Sequence, residues 1–170
     1  EDKSMKFADA ISLKKQKDMI EKANITEKYF NNLKNKFDIS HICIEQNLQA
    51  FRPGFSSAST LFKLARFNGI VSYIAHKCFS RQVNEVNVNH ARKVVGLKIN
   101  RKSSESTKEQ VVAWVKKQDL DGFIWPTREI KRGERKGLVL LSDEAYDIAD
   151  AYVVASSYAY ERRNDFTKKS

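Results

Sequence analysis

Cysteine, proline and glycine are scarce in this chain, with two cysteines, two prolines and six glycines among 170 residues. Cys43 and Cys78 lie far apart in the sequence and form no C-x-x-C pair, so neither a disulfide framework nor a zinc ribbon is indicated. No apolar run reaches about 18 residues and no signal-like segment stands out, which argues against a membrane span and against secretion. We therefore expect an intracellular globular protein in a reducing compartment.

Positive charge is in excess. The chain has 31 Lys and Arg against 21 Asp and Glu, a formal net charge of +10 and a pI of about 9.6. Such a charge attracts polyanions over long distances, so nucleic acid is the expected class of partner. A length of 170 residues suits one domain with its own core, and we expect a single domain over residues 1 to 170.

Hydrophobic periodicity in the first half of the chain predicts alternating strands and helices. A weak strand pattern at residues 5 to 11 precedes a long amphipathic helix that Ser12 can cap and that extends to Phe37. The apolar pattern of residues 39 to 45 predicts a second strand. The breakers Pro53 and Gly54 follow, and then a helix that starts at Ser57 or Ser59 and runs to Cys78. Its apolar residues lie nearly all round, which predicts deep packing, and residues 83 to 88 predict a third strand.

The second half predicts mostly helices. A basic polar connection at residues 91 to 106 leads to a helix that a capping box of Thr107 and Gln110 can start. Residues 121 to 137 predict an exposed loop or small hairpin. Ser142 starts the last helix, whose seam suits packing on a sheet; the seam consists of Ala145, Ile148, Ala149, Tyr152, Ala155 and Ala159. This order of elements predicts an α/β fold with helices on both faces of a sheet.

Acidic residues are grouped in the last helix. Asp143, Asp147 and Asp150 fall at i, i+4 and i+7, on one side of the helix. Glu45 ends an apolar strand, where an ionised carboxylate is costly without compensation. Converging carboxylates in a basic protein predict a site for a hard divalent cation such as Mg²⁺. Helix capping alone can account for Asp143, and a strand end that reaches solvent can account for Glu45.

Several short motifs follow one another in an order typical of one family. They are ICIEQ at 42–46, LARFNGI at 64–70, VNV at 86–88 with ARKVVG at 91–96, KEQVV at 108–112 and DIADA at 147–151. Over residues 39 to 160 this ordered set resembles the RuvC-like Holliday-junction resolvases. The resemblance implies a ribonuclease H-like mixed sheet flanked by helices on both faces. It also implies a homodimeric endonuclease that resolves four-way or other branched DNA in recombination and repair.

The resemblance also implies residue roles. Glu45, Asp147 and Asp150 correspond to metal ligands for Mg²⁺, with Mn²⁺ able to substitute and no small-molecule cofactor. Lys108 corresponds to a basic residue that approaches a phosphate near the metals, and Lys93 lies in the segment that approaches DNA. Two metal ions can activate water and stabilise the leaving oxygen of a phosphodiester. The implied location is one that holds DNA: a bacterial or viral cytoplasm, or an organelle.

One part of the family pattern has no counterpart. Members carry a first catalytic Asp on a central strand, whereas only residues 5 to 11 precede the first helix here. We expect the sequence to lack the first one or two strands of the fold, with Asp9 as the one candidate for that acid within the short strand. This departure keeps a second interpretation open, a non-catalytic ribonuclease H-like module that binds nucleic acid within a larger assembly. A nuclease for flaps or RNA–DNA hybrids is a third.

Basic and aromatic residues complete the predicted DNA surface. One basic cluster contains Arg92, Lys93, Lys98, Arg101 and Lys102. A second contains Arg128, Lys131, Arg132, Arg135 and Lys136, and either phosphate binding or solubility can explain it. Phe51, Arg52 and Phe55 follow Glu45 in a loop, where an aromatic ring can either wedge into an opened junction or fold back on the core.

Overall fold

The computed structural model describes residues 5–46, 57–118, 120 and 122–167, without the side chains of 165–167. This part of the chain is mixed α/β, with five helices and two small sheets. Contacts divide the chain into two compact units, which we call the N-terminal unit, Leu13–Asn87, and the C-terminal unit, Val88–Ser170 together with Glu1–Ser12. The single ribonuclease H-like domain expected from the sequence stays a prediction.

The N-terminal unit begins with helix α1, Met19–Lys34. Asp18 caps it, since its carboxylate accepts hydrogen bonds from the backbone N–H groups of Ile20 and Glu21 at 2.8 and 3.0 Å. The prediction that Ser12 caps this helix was therefore wrong. The strand predicted at residues 5 to 11 was also wrong, because that segment is irregular and pairs with no described strand, which leaves Asp9 off any strand.

A β-α-β arrangement follows α1 within the N-terminal unit. Strand β1, Ile42–Glu45, and strand β2, Val83–Val86, pair in parallel, with Glu45 opposite Val86, and helix α2, Ala58–Phe79, connects them. Both strands are shorter than predicted. Ser57 caps α2 by accepting a hydrogen bond from the N–H of Thr60, which confirms one of the two predicted helix starts.

Helix α2 is less deeply packed than its sequence predicts. Only Ile74, Ala75 and Cys78 are buried, all in its C-terminal half, where α2 packs on α1 and β2. In contrast, Phe62 is 75% exposed and Tyr73 is 66% exposed. The prediction of deep packing all round was wrong, because no described element of its unit covers the N-terminal half.

The C-terminal unit is a group of helices with one hairpin. Helix α3, Val88–Val94, occupies the end of a predicted strand and the start of a predicted connection. Helix α4, Thr107–Val115, is followed by strands β3, Thr127–Glu129, and β4, Val139–Leu141, which pair antiparallel. This pair confirms the hairpin alternative for the loop that follows α4. Helix α5, Asp143–Thr167, completes the unit.

Helix α5 packs on α3 and α4 rather than on a sheet. Its first predicted seam residues, Ala145, Ile148 and Ala149, are buried, but Ala155 and Ala159 are exposed. The seam continues instead through Val153 and Ser157, both fully buried. Each step of four residues turns about 40° around a straight helix, so the buried face shifts gradually from Ala145 to Ser157, away from the side on which Ala155 and Ala159 lie. None of the described helices is long and apolar enough to cross a membrane.

The start of α4 is fixed by a capping box one residue earlier than predicted. Glu109 N–H donates to Ser106 Oγ at 3.2 Å, and Ser106 N–H donates to the Glu109 carboxylate at 2.7 Å. Hydrogen bonds from the Ser106 side chain and backbone also lower the pKa of Glu109. The box holds α4 in the register that places Lys108 in its first turn.

Replacing the capping serine should therefore destabilise the C-terminal unit. We expect Ser106→Ala to lower the free energy of unfolding by about 1 kcal/mol, because one helix N–H group loses its acceptor. Urea unfolding followed by circular dichroism measures this loss. Ser104→Ala is the matched control, since Ser104 is exposed and outside the cap, and should change stability by less than about 0.5 kcal/mol. Equal effects of the two variants would contradict the role of the cap.

Candidate functional site

Asp147 and Asp150 lie on α5 beside the buried seam that packs on α3 and α4. Ala145 and Ala149 are fully buried in that seam, so the backbone of α5 approaches its neighbours closely. The Asp150 side chain is 22% exposed, whereas Asp147 is exposed to solvent. The expected acidic face is therefore present on α5, where Asp150 is half-buried and Asp147 is exposed.

Arg92 of α3 pairs with Asp150. Its guanidinium donates to the Asp150 carboxylate at 3.2 Å, and the Arg92 side chain is only 17% exposed. Burying two charges in this way is tolerable because each compensates the other. The Nε of Arg92 is buried and has no hydrogen-bond partner among the described residues, so one donor of the group is unused. Arg92 was predicted to bind phosphate, and its contact with an acidic site residue was not foreseen.

The charge of Asp147 is only partly compensated. Burial of its carboxyl raises the pKa of Asp147, even though the residue as a whole is exposed. Lys108 lowers this pKa, and the negative charges of Asp150, Asp143 and Glu144 raise it again, so the net shift is upward. The Lys108 ammonium also lies 6.0 Å from the centre of the Tyr146 ring. The structure thus brings Asp147, Asp150, Lys108 and Arg92 together in one unit.

The first basic cluster lies on the last turn of α3 and on the ordered loop between α3 and α4. Gly96 has a φ of +77°, which ends α3 and lets the N–H of Leu97 donate to the Arg92 carbonyl at 2.8 Å. Gln110 of α4 then holds the loop by accepting from the N–H of Asn100 at 2.8 Å and donating to its carbonyl at 3.0 Å. The basic side chains around this loop are all exposed; they are Lys93, Lys98, Arg101 and Lys102.

Gln110 is the positioning residue that the sequence did not reveal. The sequence suggested a capping role for it, whereas its side chain also donates to the Glu105 carbonyl at 3.0 Å and so closes the loop over ten residues. A glutamine in a helix carries no sequence signal for such a tertiary contact.

The remaining predicted site residues lie elsewhere. Glu45 ends β1 in the N-terminal unit, with an exposed side chain, and Asn68 of α2 donates to its backbone carbonyl at 2.9 Å. The carboxyl end of a parallel strand is a common position for functional side chains. Its role as a metal ligand stays a prediction. Phe51, Arg52 and Phe55 lie outside the described residues.

The carboxylates on α5 form a small set of possible ligands for the expected Mg²⁺. Within the described ranges, no group of three or more His, Cys, Asp or Glu side chains is placed to hold a metal ion. Mg²⁺ is commonly bound by one or two carboxylates, with waters and substrate phosphates completing its shell. Asp147 and Asp150, three residues apart on one helix, match that smaller donor set. A cation there would also offset the burial and the neighbouring negative charges that together raise the pKa of Asp147.

Comparisons with known proteins add no relative. No family model matches the sequence, and neither curated proteins nor solved structures give a match. The resemblance to RuvC-like resolvases therefore stays a prediction that rests on the motifs.

The raised pKa of Asp147 predicts how the stability of the metal-free protein depends on pH. Between the ordinary value of 3.8 and the raised value, the folded state binds more protons than the unfolded state. Stability must then fall as the pH rises through this window. Asp147→Asn removes the titration, so we expect it to stabilise the protein at about pH 7 and to have little effect at about pH 3.5. Urea midpoints measured in EDTA across this range test the prediction.

Asp143→Asn is the matched control, because it removes the same charge from the first turn of the same helix. An aspartate there stabilises the helix N-terminus, so this variant should lose about 0.3 to 1 kcal/mol at neutral pH. Destabilisation by Asp147→Asn at neutral pH would contradict the raised pKa.

Proposed function

We propose that this protein is a metal-dependent endonuclease that cuts branched DNA, with four-way junctions as the main substrate. The observation that carries the proposal is the incompletely compensated carboxylate pair of Asp147 and Asp150, flanked by Lys108 and Arg92. Carboxylates that repel each other cost stability, and such arrangements concentrate at functional sites. The order of the sequence motifs supports the choice of DNA junctions.

Each residue has a defined part in this proposal. Asp147 and Asp150 hold Mg²⁺ or Mn²⁺, whose chemistry is to lower the pKa of bound water and to stabilise the charge that develops on the leaving oxygen. Lys108, on the first turn of α4, binds a non-bridging oxygen of the scissile phosphate. Arg92 balances the charge of Asp150 before DNA binds.

Two parts of the proposal rest on the resemblance alone. Glu45 is proposed as a further carboxylate ligand, and the active form is proposed to be a homodimer, because two symmetric cuts across a junction need two active sites. Glu45→Gln should accordingly reduce cleavage, and sedimentation of the full chain should give a dimer.

Cleavage by the full chain tests the activity. We expect paired nicks in a labelled four-way junction with Mg²⁺ or Mn²⁺, and little cutting of linear duplex, flap or RNA–DNA hybrid. Asp147→Asn should slow cleavage by at least roughly a hundredfold, since loss of a metal ligand costs more than loss of an outer-shell partner. Junction affinity should be kept or increased, because a negative charge is removed.

Asp143→Asn serves again as the control and should cleave at a rate within about threefold of the wild type, as expected for a change away from the reacting atoms. Preferred cutting of flap or hybrid would support those substrates and overturn the choice of junctions. Binding of DNA without cutting, in either metal, would overturn the nuclease proposal.

The ion pair between Arg92 and Asp150 favours a second candidate, a module that binds nucleic acid without cutting it. In that case Arg92 compensates Asp150 permanently and no metal is needed. The thermal midpoint separates the two, because a ligand that binds the folded state raises it. A metal site predicts that millimolar Mg²⁺ raises the midpoint of the wild type above that in NaCl of equal ionic strength, and does so less for Asp147→Asn. Equal midpoints in the two salts would favour the module.

A further inference from the structure

The hairpin of β3 and β4 carries a second concentration of positive charge in the C-terminal unit. Between Thr127 and Leu141 the sequence has five basic and two acidic side chains, a net charge of +3. Every residue from 131 to 140 is exposed. The basic side chains form no ion pair with any described acidic residue; they are Arg128, Lys131, Arg132, Arg135 and Lys136. We call this cluster the basic hairpin.

The basic hairpin has a defined backbone. The N–H of Ile130 donates to the Leu138 carbonyl at 3.0 Å, and the N–H of Gly137 donates to the Ile130 carbonyl at 2.9 Å, which extends the pairing beyond the strands. The loop is closed by a bond of 3.0 Å from Lys136 N–H to the Gly133 carbonyl. Gly133 and Gly137 have φ angles of +80° and +87°, which a side chain would disfavour. The cations are therefore held on an ordered turn.

The base of the hairpin is joined to the elements that carry the acidic site. The N–H of Ser142, immediately before α5, donates to the Pro126 carbonyl at 3.0 Å. The Lys116 ammonium, at the end of α4, lies 5.7 Å from the centre of the Trp125 ring. Phe123 packs edge-on against Trp125, with ring centres 5.2 Å apart. The base of the hairpin is thus tied to the end of α4 and to the start of α5.

We propose that the basic hairpin binds the phosphate backbone of duplex DNA, beside the phosphates that approach Asp147. The choice of DNA rests on the proposed function, whereas the binding surface rests on the hairpin itself. A two-stranded ribbon has the width that a DNA groove admits, and exposed Arg and Lys side chains bind phosphates without reading sequence. An anionic membrane is the alternative partner, since exposed Leu138 and Leu140 lie on one face of the hairpin beside the cations, and vesicle binding is therefore an arm of the test.

The test is DNA binding by the full chain in EDTA, where no cleavage occurs. The hairpin variant is Lys131→Gln, Arg132→Gln, Arg135→Gln and Lys136→Gln combined. The control removes the same four charges from exposed lysines of the N-terminal unit, through Lys15→Gln, Lys17→Gln, Lys28→Gln and Lys36→Gln. Affinity for a short duplex and for a four-way junction is measured over a range of NaCl concentrations.

We expect the hairpin variant to bind both DNAs at least about tenfold more weakly at physiological salt. The slope of log affinity against log salt should become shallower by roughly 2 to 3.5, since each lost phosphate contact removes about 0.9. The control should keep the slope of the wild type. Circular dichroism and urea midpoints equal to those of the wild type confirm that both variants are folded.

Three outcomes would overturn the proposal. They are equal losses in the hairpin variant and the control, a wild type that does not bind duplex DNA, and hairpin-dependent binding of phosphatidylserine vesicles with DNA binding unchanged. Failure of the nuclease proposal has a different signature, which is hairpin-dependent DNA binding without cleavage in Mg²⁺ or Mn²⁺.

Discussion

The close packing of α5 on α3 and α4 is the constraint on which the rest of the C-terminal unit depends. Ala145, Ala149, Val153 and Ser157 fill this interface, and all of them are fully buried. Small side chains let the helices approach, so Arg92 reaches Asp150 from α3 and Lys108 acts on Asp147 from α4. A larger residue at Ala149 would separate the helices, and overpacking of this kind costs about 1 to 3 kcal/mol. The same packing that forms the core therefore sets the electrostatics of the acidic face.

The two aspartates of that face are balanced in different ways. Asp150 has a close partner in Arg92, and the pair excludes most of the surrounding water. The pKa of Asp147 rises because its carboxyl is partly buried and faces three other acidic residues of the same helix, which Lys108 only partly offsets. A neutral residue in place of Asp147 would raise the free energy of unfolding, so stability alone does not account for this aspartate. That Asp147 is kept despite this cost is the physical reason to connect it with a bound cation.

The sequence predicted several local elements better than it predicted their packing. Local signals were sufficient for a helix start at Ser57 or Ser59, for the strands on either side of α2 and for the aspartates in the first turns of α5. Signals that depend on tertiary contacts failed. Alternation suggested a strand at residues 5 to 11, where no described partner strand exists, and the apolar residues of α2 suggested burial that its surroundings do not supply. The side chain of Gln110 donates a hydrogen bond to the Asn100 carbonyl, ten residues away, and no local sequence pattern indicates this contact.

The arrangement of charge in the C-terminal unit also bears on how a polyanion would approach it. Positive side chains lie on the loop before α4 and on the hairpin after it, and the aspartates lie on the helix that follows. A phosphate backbone is attracted by the two basic segments and repelled by Asp147 until a cation neutralises that carboxylate. Without a cation, binding would thus be strongest on the basic segments and weakest at the acidic face. A divalent ion would remove this difference, so DNA and metal would each strengthen the binding of the other, as linkage between two ligands requires.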